Sequence, residues 1–202
     1  MLYFKRKIFT VIYTLYRLIA DFGKPKEMSF LFVNRTLKRA GTKIFTSYSF
    51  YIKNPQYISI GSNFKFLWNL RIEAWDAYGE QSFSPEIIIG DNVIINSDCH
   101  IGCINKVIIG NNVLIASKVF LSDHTHGTLS GDDLKLPPVQ RSLFSRGPVC
   151  IEDNVWIGEG VCIMPGVTIG KNVIIGANSV VTKSVPANTI VAGVPAKLIK
   201  QL

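Results

Sequence analysis

Six aliphatic residues stand six apart: Ile151, Ile157, Ile163, Ile169, Ile175 and Val181. A strand brings every second residue to one side and a helix every third or fourth, so neither produces this period. A backbone that turns a corner at fixed intervals does. The spacing therefore predicts a parallel β-helix in which each hexapeptide supplies one short face of a three-sided prism and three hexapeptides close one coil. The same period upstream picks out Ile60, Phe66 and Ile72, then Ile89, Ile95 and Ile101, then Ile109, Ile115 and Leu121, for about five coils. Two residues before many of these stands a second inward slot, held by Val93, Cys99, Val113, Val119, Val155, Val161, Val167, Val173 and Ser179. The expected fold is all-β, with a narrow aliphatic interior.

The steps between coils are uneven: 17 residues from Ile72 to Ile89, 8 from Ile101 to Ile109 and 30 from Leu121 to Ile151, against 6 from Ile163 to Ile169. Every added residue falls after the third face. All excursions are then stacked on one edge of the prism, and function is expected near that edge. The longest, 123–149, carries His124 and His126 together with Asp132, Asp133, Arg141 and Arg146. Long loops on repeat arrays commonly build the binding face. A disordered surface loop is the competing reading.

The 202 residues divide into a lead-in, 1–57, and a repeat domain, 58–202, ending in a tail, 186–202, read as a short helix or extension. Residues 1–55 hold 11 of the 22 Lys and Arg but only Asp21 and Glu27 among acids. Such asymmetry suits an anionic partner, a membrane surface or an acidic substrate, or a plain solvated surface; no nucleic-acid-binding motif accompanies it. Phe4, Ile8, Val11, Ile12, Leu15 and Ile19 recur at helical spacing beside Lys5, Arg6, Lys7 and Arg17. This predicts an N-terminal amphipathic helix too short in its uncharged run to span a bilayer. Residues 1–20 are thus either a peripheral membrane anchor or a helix packed on the first coil or a neighbouring subunit. Cys99, Cys103, Cys150 and Cys162 form no CxxC pair and read as buried reduced thiols. A cytoplasmic chain, peripheral at most to the inner face of the membrane, is the expected setting.

The repeats, the segment Ser122-Asp-His-Thr-His-Gly127, the stretch Asn154-Val-Trp-Ile-Gly158 and the tail Ala192-Gly-Val-Pro-Ala-Lys197 together resemble the left-handed β-helix acyltransferases. The likeness is strongest to the maltose and galactoside O-acetyltransferase branch and to relatives that O-acetylate lipopolysaccharide or capsule sugars. It implies a homotrimer, acetyl-CoA as donor, a sugar or lipid-linked oligosaccharide as acceptor, and no metal.

A base must take the proton of the attacking hydroxyl, and a neutral imidazole suits that task near pH 7. Counting from Ile109, the resemblance selects His126 as the base and places Asn96 at the acceptor, with Asp123 and His124 flanking the base, either orienting it or touching the acceptor. It places Trp156, outward by the register of Val155 and Ile157, near the cofactor, and an amide near Gly158 and Glu159 at the oxyanion. Ala177, Thr182, Lys183, Lys197 and Lys200 fall at positions that contact coenzyme A in such enzymes. Three rivals stay open: N-acetyl transfer to a nucleotide-linked amino sugar, a zinc lyase of the γ-carbonic-anhydrase type using His100, His124 and His126, and an inert assembly or tethering scaffold with the prism as a trimer core.

Overall fold

The structure, a computed structural model, describes residues 35–45, 49–128 and 130–202. The expected N-terminal helix lies outside these residues.

Three parallel sheets wrap one core. The first face stacks Arg39–Ala40, Ile58–Ile60, Glu86–Ile89, Lys106–Ile109, Val149–Ile151 and Thr168–Ile169. Lys65–Phe66, Ile94–Ile95, Leu114–Ile115, Trp156–Ile157, Ile174–Ile175 and Thr189–Ala192 make the second. On the third lie Phe50–Lys53, Leu70–Ala74, His100–Cys103, Phe120–Ser122, Cys162–Ile163 and Val180–Val181. Register follows the period of six. Ile60 pairs with Ile89, Ile89 with Ile109, Ile109 with Ile151, and Ile151 with Ile169.

Inward residues of all three faces, from Ile60 to Val191, are at most 7% exposed. Each buried Ile or Val contributes about 1.5–3 kcal/mol relative to exposure, so the core is built of small equal increments. The second slot is equally buried. There Cys99 is a small apolar filler whose thiol burial pushes up to about 11. At Ser179 the hydroxyl is satisfied inside: it donates to the Gly176 carbonyl at 2.6 Å and accepts the Gly193 N–H at 3.0 Å.

The corner after the first face needs a left-handed residue, and Asn supplies it. Asn63, Asn92, Asn112, Asn154, Asn172 and Asn188 all have φ of 56–59°. Asparagine tolerates this region because its short amide bonds locally. Here the amides bond to one another, each Nδ2 donating to the next Oδ1 at 2.7–3.0 Å. Asn154→Val, which places a branched side chain at φ 59° and cuts two rungs of the ladder, is expected to cost about 3 kcal/mol in urea unfolding. Asn154→Gly, which loses only the rungs, is expected to cost less.

One feature departs from expectation and another is decided between two expected forms. The stack starts before residue 58: Arg39–Ala40 pairs with the strand at Ile58–Ile60, Phe45 bridges to Lys65, and Phe50–Lys53 pairs with Leu70–Ala74. The partners of Ile60 and Ile72 in that coil are Ala40 and Ile52, and so small a residue at Ala40 dilutes the aliphatic period. At the other end the tail takes the extended of the two forms expected. Lys197–Gln201 returns as an antiparallel strand on Thr189–Ala192, satisfying backbone groups that the last coil would leave unpaired.

The insertions do share one corner, the one after the third face. The first, between Leu70–Ala74 and Glu86–Ile89, folds into a hairpin of Ala77–Tyr78 and Gln81–Ser82. The other large one is the long loop after Phe120–Ser122.

Candidate active site

The long loop is structured. Thr125–His126 pairs antiparallel with Leu143–Phe144, and two 3-10 turns, Asp133–Lys135 and Pro138–Gln140, lie between. Asp133 holds the first turn by accepting Thr128 Oγ1 at 2.7 Å and the Ser130 N–H at 3.2 Å, bonds that keep its carboxyl below the usual range. The hairpin insertion clasps the loop. Tyr78 Oη donates to the Val139 carbonyl at 2.6 Å, while Gln81 donates to the Leu143 carbonyl at 3.2 Å and accepts the Leu143 N–H at 2.7 Å. Between this roof and the outer surface of the third face is a cleft of about 390 Å³.

Asp123 follows Leu121 by two residues, and alternation carries it inward: it is 0% exposed. Its Oδ1 accepts the Ile104 N–H at 2.9 Å, and its Oδ2 accepts the Asn105 and Lys106 N–H groups at 2.8 Å each and the Cys103 thiol at 3.3 Å. Burial and this carboxylate raise the thiol's pKa well above its ordinary value, so Cys103 stays a donor. Oδ1 also lies 2.9 Å from Nδ1 of His124. A carboxylate so enclosed cannot reach an acceptor, which removes one of the two roles expected for Asp123. What it does is orient the neighbouring ring.

A neutral His124 ring that donates Nδ1–H to Asp123 carries its lone pair on Nε2. The ring lines the cleft and is 14% exposed. An imidazole held by a buried carboxylate is the arrangement that fixes tautomer and direction in acid–base catalysis. His126 is differently placed. It is exposed on the loop strand, its Nδ1 3.4 Å from Tyr78 Oη and its ring edge-on to that tyrosine at 5.4 Å. The hydroxyl of Tyr78 donates to Val139 and keeps a lone pair that can accept from Nδ1 of His126, so His126 has a long contact to a neutral group where His124 has a short one to a buried carboxylate.

The floor holds a group that no sequence motif marks. Glu73 is 3% exposed, and its Oε2 receives both Arg71 Nη2 at 2.8 Å and His100 Nε2 at 3.0 Å. Burial holds the His100 pKa below its usual value, against the opposing pull of Glu73 and with help from the Arg71 charge. Arg71, Glu73 and His100 all stand at outward positions beside Ile72 and Ile101. Their position next to the insertion edge was the available signal. His100, His124 and His126 line this one cleft, yet no three His, Cys, Asp or Glu side chains among the described residues are grouped to hold a metal.

The other expected residues lie elsewhere. Asn96 sits on the corner before the third face, its N–H on the Ile115 carbonyl at 2.9 Å. On that corner in later coils are Gly158, Glu159 and Ala177. A Cβ at Gly158 would come within 2.7 Å of the Ala177 nitrogen and the Ile175 carbonyl, so coil packing demands glycine there. The Gly158 N–H is spent on Ile175 at 2.9 Å, leaving that of Glu159 as the candidate oxyanion donor. The Glu159 side chain pairs with Lys118 at 3.2 Å. Trp156, 51% exposed, faces outward between Leu114 and Ile174. Thr182 and Lys183 lie on the loop's own corner, exposed, further along the stack; Lys197 and Lys200 lie exposed on the terminal strand. Cys150 and Cys162 are half-buried on outward positions, not inside as expected.

Residues 151–183 match the bacterial transferase hexapeptide (six repeats) family. Over 155 residues, 75% of each chain, the sequence is 45% identical to WbbJ of Escherichia coli K12, provisionally named a lipopolysaccharide biosynthesis O-acetyl transferase. The chain belongs to the hexapeptide-repeat acyltransferases. Among solved structures of these acyltransferases, galactoside acetyltransferase in complex with coenzyme A is 30% identical, covering 89% of this chain and 73% of that one at a TM-score of 0.55. The N-acyltransferase AntD of Bacillus cereus is 21% identical over 89% of both chains at a TM-score of 0.69 and shares the fold. The prism is accordingly the left-handed β-helix of the hexapeptide-repeat acyltransferases.

Proposed function

We propose that this protein transfers an acetyl group from acetyl-CoA directly to a sugar hydroxyl during assembly of a surface polysaccharide. The observation that carries the reading is the His124 imidazole, aimed into a cleft by a buried carboxylate at 2.9 Å. Support comes from the name of WbbJ and from the coenzyme A complex of the galactoside enzyme.

The hydroxyl oxygen attacks the thioester carbonyl as Nε2 of His124 accepts its proton. A C–O bond forms, the C–S bond breaks, and the proton passes from the imidazolium to the departing thiolate of CoA. His126, which the family count selects, is in this reading a wall of the cleft beside Tyr78. The developing oxyanion takes the amide of Glu159.

Within one chain that amide and His124 sit at opposite ends of the third face, roughly 15 Å apart by strand rise. A neighbouring protomer bridges the gap. Exposed Ile94, Leu114 and Trp156 form an in-register apolar stripe on the second face, a surface suited to burial in a homotrimer. The pantetheine would follow the corner of Glu159 and Ala177, near Trp156, with Thr182, Lys183, Lys197 and Lys200 offering donors to the anionic end. Asn96, on the same corner, would meet the acceptor from the neighbour's side. Among the described residues no helix is long and apolar enough to cross a membrane. Contact of residues 1–20 with the inner membrane surface is part of the proposal.

Incubation with acetyl-CoA and either a lipid-linked oligosaccharide or a nucleotide-linked amino sugar tests the reading. Alkali-labile acetyl ester on the oligosaccharide is the expected product. Acetyl transfer only to the amine would replace it with the N-acyl alternative.

A further inference from the structure

Glu73 is unusual in having one oxygen oversubscribed and the other idle. Arg71 and His100 both bond Oε2, at 2.8 and 3.0 Å, whereas no donor among the described residues reaches Oε1. The residue is 3% exposed and lines the cleft. A buried carboxylate oxygen without a donor is costly, so this atom is prepared for a donor that arrives with a ligand.

Its surroundings say what kind. Glu73, Gly102 and Ser122 occupy successive rungs of the third face, so Glu73 lies one rung below Gly102. A Cβ on Gly102 would stand 3.3 Å from Cε1 of His124 and 3.8 Å from Nε2 of His100. The glycine therefore leaves an opening between the two imidazoles, on the path from the Asp123-held ring to the idle oxygen. Trp75, Tyr78 and Phe120 line the same cleft, offering flat apolar surface to the C–H faces of a pyranose. Aromatic walls, carboxylate and oriented imidazole together suit a ring that presents two hydroxyls, one to each end.

We propose that Glu73 is the specificity-determining residue for the acceptor: its Oε1 accepts a hydrogen bond from a second hydroxyl of the sugar being acetylated, with Arg71 and His100 holding the carboxylate in place. The inference rests on the acetyltransferase reading and names the acceptor as a hexopyranose with a free hydroxyl besides the one that reacts. Arg71 and His100 act through Glu73 and are positioning residues.

The test uses the full chain, acetyl-CoA, and a panel of methyl hexopyranosides with their monodeoxy analogues. On the best glycoside, removal of one particular non-reacting hydroxyl is expected to lower kcat/KM at least about 10²-fold, because a site built around a hydroxyl discriminates strongly against its loss. Glu73→Gln is expected to abolish that discrimination and to raise KM for the parent glycoside about 30-fold, leaving kcat within about threefold and acetyl-CoA KM unchanged. The substrate side of the test needs no variant to fold. Deoxy analogues that all react within threefold of the parent would overturn the proposal while leaving the acetyltransferase reading intact, as would a Glu73→Gln enzyme that keeps the wild-type ranking. Wild-type protein that acetylates no sugar in the panel would sink both.

Discussion

Alanine at His124 is expected to lower kcat/KM for acetyl transfer roughly 10³-fold, within the range that general acid–base catalysis supplies, with acetyl-CoA affinity unchanged. His126→Ala is expected to cost less than tenfold. The difference follows from what holds each ring. His124 bonds through Nδ1 to a carboxylate that solvent cannot reach, which presents Nε2 in one direction; the exposed His126 ring meets the neutral hydroxyl of Tyr78 at a longer 3.4 Å. A ring held by a long bond to a neutral hydroxyl is out of line with the substrate more of the time than one held by a buried carboxylate. Steady-state kinetics on the two alanine variants, with CoA affinity measured separately, decide the matter. A larger loss at 126 than at 124 would return the base to the position that the family count selects.

The largest effect on stability is expected at Asp123. In Asp123→Asn the amide must face one of two crowded sides: Oδ1 meets the Ile104 N–H and His124, Oδ2 meets the Asn105 and Lys106 N–H groups and the Cys103 thiol. Either orientation sets an NH₂ against donors, and no water-accessible rotamer exists at a side chain with 0% exposure. Asp123→Asn is expected to destabilise the chain by about 3–5 kcal/mol, the scale of breaking a buried ionic network. Urea unfolding at matched protein concentration measures it. Activity should fall with it even where the variant stays folded, since His124 loses its orienting partner. A loss under 1 kcal/mol would mean that the corner at Ile104–Lys106 does not depend on this carboxylate.

The interior was legible because steric demand repeats with the backbone: every sixth position faces the same axis, and Ile or Val fills it. The second slot was legible for the same reason, down to Ser179. Where legibility failed, the cause was non-local. Asp123 continues the alternation of Leu121 and so was an inward residue by rule. Its charge and its place at the start of a long excursion argued the other way, and only the backbone amides of another coil make the burial tolerable. Glu73 stands at an outward position and is buried nonetheless, because Arg71, His100 and the two insertions close over it. His124 and His126 are two apart on an extended segment, alike in sequence context. Their partners, Asp123 and Tyr78, separate them, and the contact with Tyr78 comes from an insertion 48 residues away. The tail shows the same limit, since its strand forms only because the preceding coil offers an open edge.

All the insertions leave the prism at a single corner, and this has a consequence for how such a protein can change. Loop lengths and the residues that meet an acceptor can drift without disturbing the period of six. Mutations in the stacked interior, conversely, alter robustness and leave acceptor choice alone. Asp123 is where the two histories are tied, one residue closing a coil and aiming a ring, so variation there must satisfy both demands at once.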